Sequence, residues 1–294
     1  MLVVFAGPSL APAAVRDAVA HADVRPPACR GDVAAATAQG ASTILLIDGG
    51  FAHRLAVSPS ELIAAMRAGV QVIGAASLGA IRAAECAPAG MRGVGAVTAL
   101  YRWGVVRDDD EVAVAVEPDR DHRASSVALI NVRFAVLAAL RAARLDRAQA
   151  AQLLAAARAT HFSERQWRPI LAAAGRDGDA ELLALCHGAD VKRRDAELAV
   201  ARVAALPLAA AVPREPVAPK PRYPGHDPCF GESQPVLAAQ LHRRLAGSGR
   251  ARRLWPAGMP ADPQTIWRDL AARHELAVEL MRLYAVQRHR NLSG

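Results

Sequence analysis

The first hundred residues alternate between short unbroken apolar runs and stretches with helical spacing. Leu2-Val3-Val4-Phe5-Ala6 reads as a buried strand that stops at the turn Gly7-Pro8-Ser9. Residues 11–21 have the spacing of a helix. A short extended piece near Val24 meets Pro26-Pro27, and Asp32 is placed to cap a helix that runs to Gly40. Thr43-Ile44-Leu45-Leu46-Ile47 is a second buried strand, ending at Asp48-Gly49-Gly50. In Ser58-Pro59-Ser60-Glu61, serine stands at the N-cap, proline at the first helical position and glutamate at the third. That capping box opens a helix reaching Gly69. Val70-Gln71-Val72-Ile73 is a third buried strand, and Gly74-Ala75-Ala76-Ser77-Leu78-Gly79-Ala80 leads straight into another helix.

This order of elements predicts an α/β fold with a Rossmann-like parallel sheet and helices on both faces. Residues 111–116 alternate with a period of two and predict one more strand. From Ala124 to about Ala205 the spacing is helical, notably over 127–143 and 195–205, so a helical half follows the sheet. We therefore expect an α/β core with its helical half over residues 1–205. A linker or arm over 206–235 carries Pro207, Pro213, Pro216, Pro219, Pro221, Pro224, Pro228 and Pro235, a density that forbids helix. A basic helical tail is expected over 236–294, with helical patterns at 236–246 and 264–288.

Composition narrows the function classes. Aromatic residues are 4% of the chain, too few for an extended base-stacking surface, which argues against single-stranded nucleic acid. The net charge of +8 would suit an anionic partner, but lysine occurs only at Lys192 and Lys220 and arginine supplies the rest. With alanine, glycine and proline also enriched, coding bias explains the charge as well as any ligand does. The four cysteines, Cys29, Cys86, Cys186 and Cys229, form no C-x-x-C pair and no zinc or disulfide framework, and read as free thiols in a reducing cytoplasm. The apolar N-terminus has no preceding basic residue and is broken by Pro8 and Pro12, so it reads as a strand and its turn, not a signal peptide. No run reaches the roughly 18 apolar residues of a membrane span, and a cytoplasmic protein is expected.

Parallel sheets bind ligands at the carboxyl ends of their strands. Three such ends carry polar groups here: Ser9, Asp48 and Ser77. Each can act on a ligand or simply cap a helix; for Ser9 the cap is the favoured reading. Ser77 lies between a buried strand and a helix, in Ala75-x-Ser77-x-Gly79, the layout of a nucleophile elbow. The helix-start amides beside it would stabilise an oxyanion or hold an anion. The order Ser77, then Asp108-Asp109-Asp110, then His122 imitates that of a hydrolase triad, although a histidine in Asp121-His122-Arg123 is usually a surface residue. The acidic run at 108–111 reads as a solvated loop, and no metal site is expected. No G-x-G-x-x-G follows the first strand and no P-loop motif occurs, so no nucleotide cofactor is expected.

Several landmarks occur in a familiar order: Phe5-Ala6-Gly7-Pro8-Ser9-Leu10, Pro26-Pro27, Gly31-Asp32, Ile47-Asp48-Gly49 with Phe51, and Val57 to Glu61. The long block Gly74-Ala75-Ala76-Ser77-Leu78-Gly79-Ala80-Ile81-Arg82-Ala83-Ala84-Glu85 follows, then Gly90-Met91, Asp109-Asp110-Glu111-Val112-Ala113 and Asn131-Val132-Arg133. Over roughly residues 1–135 this resembles the TfuA core domain. The resemblance implies an accessory to a YcaO enzyme, which uses ATP to activate a peptide amide oxygen that sulfur then replaces. The TfuA-like partner would mobilise that sulfur by promoting hydrolysis of a thiocarboxylated sulfur-carrier protein, and no cofactor of its own is implied. Mapped onto this chain, Ser77 is expected as nucleophile or oxyanion ligand, with Asp48 and Glu85 orienting or deprotonating. Arg82 would hold the carrier's carboxylate, with Ser9, Gly49, Asp109, Asn131 and Arg133 as further substrate-binding positions. Arg82 and Glu85 can instead form an ion pair on the helix surface. The sequence departs from the family where Pro59-Ser60 stands in place of His-Lys, which removes one possible base. Competing readings are a non-catalytic docking protein for the YcaO enzyme and its precursor peptide, a small-molecule serine hydrolase, and, ranked last, a basic nucleic-acid binder.

Overall fold

A computed structural model describes residues 1–50, 55–117, 122–206, 233–246, 248–256 and 258–272. The described residues fall into two compact units, one built on Met1–Ala99 with Arg107–Lys220 and the other on Leu100–Val106 with the described part of 221–294. The first unit is organised by a five-stranded parallel sheet of order β2-β1-β3-β4-β5, with β1 Leu2–Phe5, β2 Asp23–Arg25, β3 Thr43–Leu46, β4 Gln71–Ala75 and β5 Arg92–Val94. In register, Val3 lies beside Asp23 and Ile44, and Leu45 lies beside Ile73. The chain first steps from β1 to one side and then returns to build outward on the other, so the strand order reverses between β1 and β3. In sheets wound this way the crevice outside that reversal is where ligands enter.

The alternation of side chains along each strand divides the apolar residues between two faces. Val3, Phe5, Ile44, Leu46 and Val72 pack with Val33 and Ala36 of α2 (Asp32–Ala38), Leu62 and Ala65 of α3 (Pro59–Arg67), and Leu78 and Ala83 of α4 (Leu78–Glu85). Leu2, Val4, Leu45, Ile47 and Ile73 pack on the other face with Val15 of α1 (Pro12–Ala18) and with Ala196, Ala199, Val200 and Val203 of α10 (Val191–Ala204). Burial on both faces explains why these strands are continuous apolar runs. A helix from the far end of the unit thus covers a face of the N-terminal sheet.

Two helix starts differ from expectation. Ser58 Oγ accepts from the Glu61 N–H at 3.2 Å, but the Glu61 carboxylate does not reach back to complete the box. Its Oε1 instead accepts from the backbone N–H groups of Gly31, Val33 and Ala34, each at 3.0 Å. Glu61 therefore supplies the negative charge at the start of α2, where amides point outward unpaired. Asp32 is not that helix's cap: Gly31 is, in a left-handed conformation, and the Asp32 carboxylate accepts from the Cys29 N–H in the preceding turn.

Between β5 and the helical half lie α5 (Gly95–Arg102) and two short strands, β6 (Val116–Glu117) and β7 (Arg123–Ala124), which pair antiparallel. Of the strand expected over 111–116, only Val116 is in a strand, at the start of β6. Asp109–Glu111 make a 3-10 turn instead, with Val112 N–H bonding back to the Asp109 carbonyl. Local acidic residues favour the turn over a ladder that has no neighbouring strand to complete it.

The helical half packs α6 (Leu129–Arg141), α7 (Arg147–Ala159), α8 (Trp167–Ala173) and α9 (Ala180–Gly188) around Val132, Leu153, Ile170 and Leu182. Cys186 is buried in that core, and desolvation, helped by the Asp179 charge, pushes its thiol up to about 11. The reactive species is the thiolate, so Cys186 is expected to stay unlabelled by a thiol reagent at neutral pH until the helices unfold. Mass mapping of the labelled cysteines checks this, with the half-buried Cys29 as the internal comparison. His187, its neighbour, packs edge-on to Trp167 at 6.3 Å.

The second unit contains α11 (Ser233–Ala246), α12 (Gly249–Leu254) and α13 (Pro263–Ala272), packed through Leu241, Leu245, Trp255, Ile266 and Leu270. Trp255 Nε1 donates to Asp269 at 2.8 Å, which satisfies the one polar atom its ring brings into that core. Nearly all of the expected proline-rich arm over 206–235, and the end of the expected tail, lie outside the described residues. Among the described residues no helix is long and apolar enough to cross a membrane.

Candidate functional site

Asp48 stands two residues past the end of β3, at the reversal of strand order, and is completely buried. Its Oδ2 accepts from the backbone N–H groups of Gly7 at 2.9 Å and Ser9 at 3.0 Å, and its Oδ1 accepts from the Ser9 hydroxyl at 2.6 Å. The ends of β1 and β3 are therefore joined through one carboxylate. Neither residue caps a helix: α1 has Ala11 at its N-cap, with no side-chain bond. Gly7 is required at this junction, because a Cβ there would lie 2.6 Å from the Pro27 ring and 3.3 Å from His122 Cβ.

Burial pushes the Asp48 carboxyl above its ordinary range, and the nearby Lys192 charge and the Ser9 and Gly7 hydrogen bonds oppose that shift. Lys192, at the start of α10, is itself fully buried. Its Nζ donates to the Val112 carbonyl at 2.7 Å, and burial pulls its ammonium below the usual lysine range, against the attraction of Asp48 and Asp190. Sequence reasoning missed this residue. Its one available signal was rarity, since a chain that uses arginine almost throughout retains lysine at only two positions. A lysine loses its proton to a buried site far more readily than an arginine does.

Two of the expected binding residues hold Lys192 in place. Asn131 on α6 donates through Nδ2 to Asp190 Oδ1 at 2.9 Å and accepts from the Lys192 N–H through Oδ1 at 3.3 Å. Asp190 in turn caps α10 by accepting from the Arg193 N–H. Arg133, two residues further along α6, makes a two-pronged ion pair with the buried Glu111, fixing the turn next to Val112.

Ser77 follows β4 as the N-cap of α4 and is 2% exposed. Its hydroxyl makes no hydrogen bond among the described residues, and it does not cap the helix. The strained elbow position belongs to its neighbour: Ala76 has φ 63°, and the Ser77 N–H closes a tight turn onto the Ala75 carbonyl at 2.8 Å. Such a turn with positive φ at its centre is rare and strained. Two of the helix-start amides expected to hold an oxyanion are already engaged, Gly79 N–H with the Ile47 carbonyl and Ala80 N–H with the Ser77 carbonyl.

The remaining expected residues stand elsewhere. Glu85 lies at the far end of α4, about 12 Å along the helix axis from Ser77. It pairs with Arg82 at 2.6 Å, while Arg82 Nε donates to the Val57 carbonyl. The surface ion pair is thus the arrangement found, and Arg82 is not free at the rim to hold a carboxylate. Gly49 packs its bare Cα against Leu78, where a Cβ would meet Leu78 Cδ2 at 2.1 Å. Asp109 is exposed at the start of the 3-10 turn. Asp110 is held by both oxygens to the fully buried Arg165. His122, with φ 56°, lies against Gly7. The imitated triad of Ser77, an aspartate of the acidic run and His122 is therefore not assembled through Asp110.

Comparison with curated proteins gives no match. The family model described as TfuA-like protein matches residues 48–166, a segment that begins at Asp48, contains Ser77, Asn131 and Arg133, and ends before Lys192. That family is linked to thioamidation, which suggests a protein partner in a biosynthetic pathway. The match takes in β4, β5 and their helices but neither Ser9 nor Lys192, and over residues 48–166 the chain carries a TfuA-like domain.

Proposed function

We propose that this protein serves a YcaO enzyme in the backbone thioamidation of a ribosomally made peptide, mobilising sulfur by promoting hydrolysis of a thiocarboxylated sulfur-carrier protein. The observation that supports this most is the buried Ser9–Asp48 contact at the switch point, with Ser77 on the neighbouring strand end. Hydrolysis of a thiocarboxylate is acyl transfer. It calls for an oxygen nucleophile and a group in contact with it to accept its proton. Carrier and water supply every atom of that reaction, so the reading calls for no cofactor.

Ser9, Asp48 and Ser77 are all buried in the chain by itself. In this reading the rim opens when the YcaO enzyme docks, so sulfide is released where it is used, in the cytoplasm. Reconstitution tests it: YcaO enzyme, ATP, thiocarboxylated carrier and precursor peptide are combined with and without this protein. Thioamide, read as the mass gain of sulfur for oxygen, should form only with the protein present. Equal thioamide formation without it would refute the reading.

A second reading, a docking protein without chemistry of its own, draws on the same contact. Asp48 directs three hydrogen bonds into one turn, as a purely structural carboxylate would. Under it, Ser9 and Ser77 substitutions leave thioamidation intact, while removal of residues 206–294 abolishes it.

A further inference from the structure

We infer that the reacting hydroxyl of this site is that of Ser9, with Asp48 as the group that takes its proton, and that Ser77 does not attack. The inference rests on the acyl-transfer reading above and moves the nucleophile from β4 to β1.

An activated hydroxyl is recognised by geometry: nucleophile in contact with base, and base fixed by a third group. Ser9 Oγ donates to Asp48 Oδ1 at 2.6 Å, and the opposite carboxylate oxygen is fixed by two backbone amides from the same turn. The carboxylate cannot rotate away from the hydroxyl without losing both amide bonds. Ser77 has no such partner among the described residues, and the elbow conformation that would project it is taken by Ala76. Position agrees with this. In a sheet of this order the ligand crevice opens between β1 and β3, whose following turns carry Ser9 and Asp48, whereas Ser77 follows β4, one strand further out.

Burial also favours the pair chemically. A carboxylate stripped of water is a stronger base than an exposed one, and Asp48 is fully enclosed with its carboxyl held above the ordinary range. The buried Lys192 charge offsets part of that cost and keeps the ionised form within reach.

The steps balance. Ser9 Oγ bonds to the carrier's thiocarboxylate carbon as its proton passes to Asp48. The C–S bond then breaks, and that proton leaves with sulfur as hydrosulfide, giving an ester of Ser9 with the carrier's C-terminus. Water adds to the ester carbon, giving one proton through Asp48 to the departing Ser9 oxygen. The freed carboxylic acid loses its own proton to solvent. Overall, thiocarboxylate and water become carboxylate, hydrosulfide and a proton, with no oxidant or reductant.

The test uses the full chain with YcaO enzyme and thiocarboxylated carrier, reading sulfide and the intact mass of the acid-quenched protein. Ser9→Ala should lower sulfide release at least about a hundredfold, while Ser77→Ala stays within about threefold of wild type. Ser9→Cys, which keeps the side chain's shape, should accumulate a carrier thioester at residue 9 that hydroxylamine removes. Release retained by Ser9→Ala overturns the inference, as does an adduct at any other residue. Absence of a Ser9→Cys adduct from a folded variant, while wild type releases sulfide, also overturns it and leaves Ser9 a structural residue. No release from wild type defeats the functional reading itself, and this inference with it.

Discussion

Asp48→Asn is expected to lower the free energy of unfolding by roughly 1–3 kcal/mol, even though it is close to isosteric. The asparagine carbonyl can accept from the Gly7 and Ser9 amides as Asp48 Oδ2 does, and its NH2 can donate to Ser9 Oγ. The hydrogen bonds therefore survive, and what disappears is the negative charge that acts on Lys192. That ammonium is fully buried, with one carbonyl bond and Asp190 as the other attractive charge acting on it. Left without Asp48, it either sheds its proton or draws water into the core, and both weaken the fold. Urea unfolding of Asp48→Asn, Lys192→Met and the double variant checks this. The double variant should recover at least about 1 kcal/mol relative to the sum of the singles. Additive losses would mean that the two charges do not support each other.

The pH dependence has a definite sign. Lys192 already titrates below its ordinary value in the folded chain, and removing Asp48 takes away a charge that raises it. The folded variant then holds fewer protons than the unfolded chain between the depressed value and the ordinary one. Its stability should therefore rise with pH across that interval, more steeply than wild type's. In wild type the Asp48 carboxyl is held above its ordinary value, so its own contribution runs the other way: present at low pH and lost as pH rises through the folded value.

Gly79→Ala should be at least as damaging. A Cβ at position 79 would lie 1.8 Å from the Leu46 carbonyl oxygen and 2.7 Å from its carbon. Both are backbone atoms of the sheet, so no side chain can swing aside. Either α4 lifts off the sheet or β3 bends, and overpacking of this kind costs about 3 kcal/mol or more. For a unit of this size that is a fall in Tm of roughly 6–12 °C. Gly188→Ala, where a Cβ meets nothing within 4 Å, is the control and should leave stability unchanged or slightly raised. Equal Tm values for Gly79→Ala and wild type would show that α4 does not press on β3 as described.

The sheet was legible in the sequence because its strands are buried on both faces. Leu2–Phe5, Thr43–Leu46 and Gln71–Ala75 stand out as apolar runs closed by glycine or polar turns. The three polar strand ends were legible for the same reason. Their partners were not, because those depend on packing between distant segments. Ser9 read as a cap because a serine before a helix usually is one; its bond to Asp48 crosses 39 residues. Glu61 read as half of a local box, yet it caps a helix nearly thirty residues upstream. Lys192 could not be assigned to the β1–β3 junction until α10 was seen to lie on the sheet. Ala76 taking the strained position, one residue before the serine that the motif favours, follows from local backbone geometry that residue types alone do not encode.

The most direct measurement is sulfide release from thiocarboxylated carrier protein incubated with this protein and its YcaO enzyme. Sulfide should appear in step with hydrolysed carrier when the protein is present, with none above background when it is omitted. Carrier left intact under conditions where the peptide still becomes thioamidated would contradict it, and would leave the protein a docking partner whose buried carboxylate only holds its sheet together.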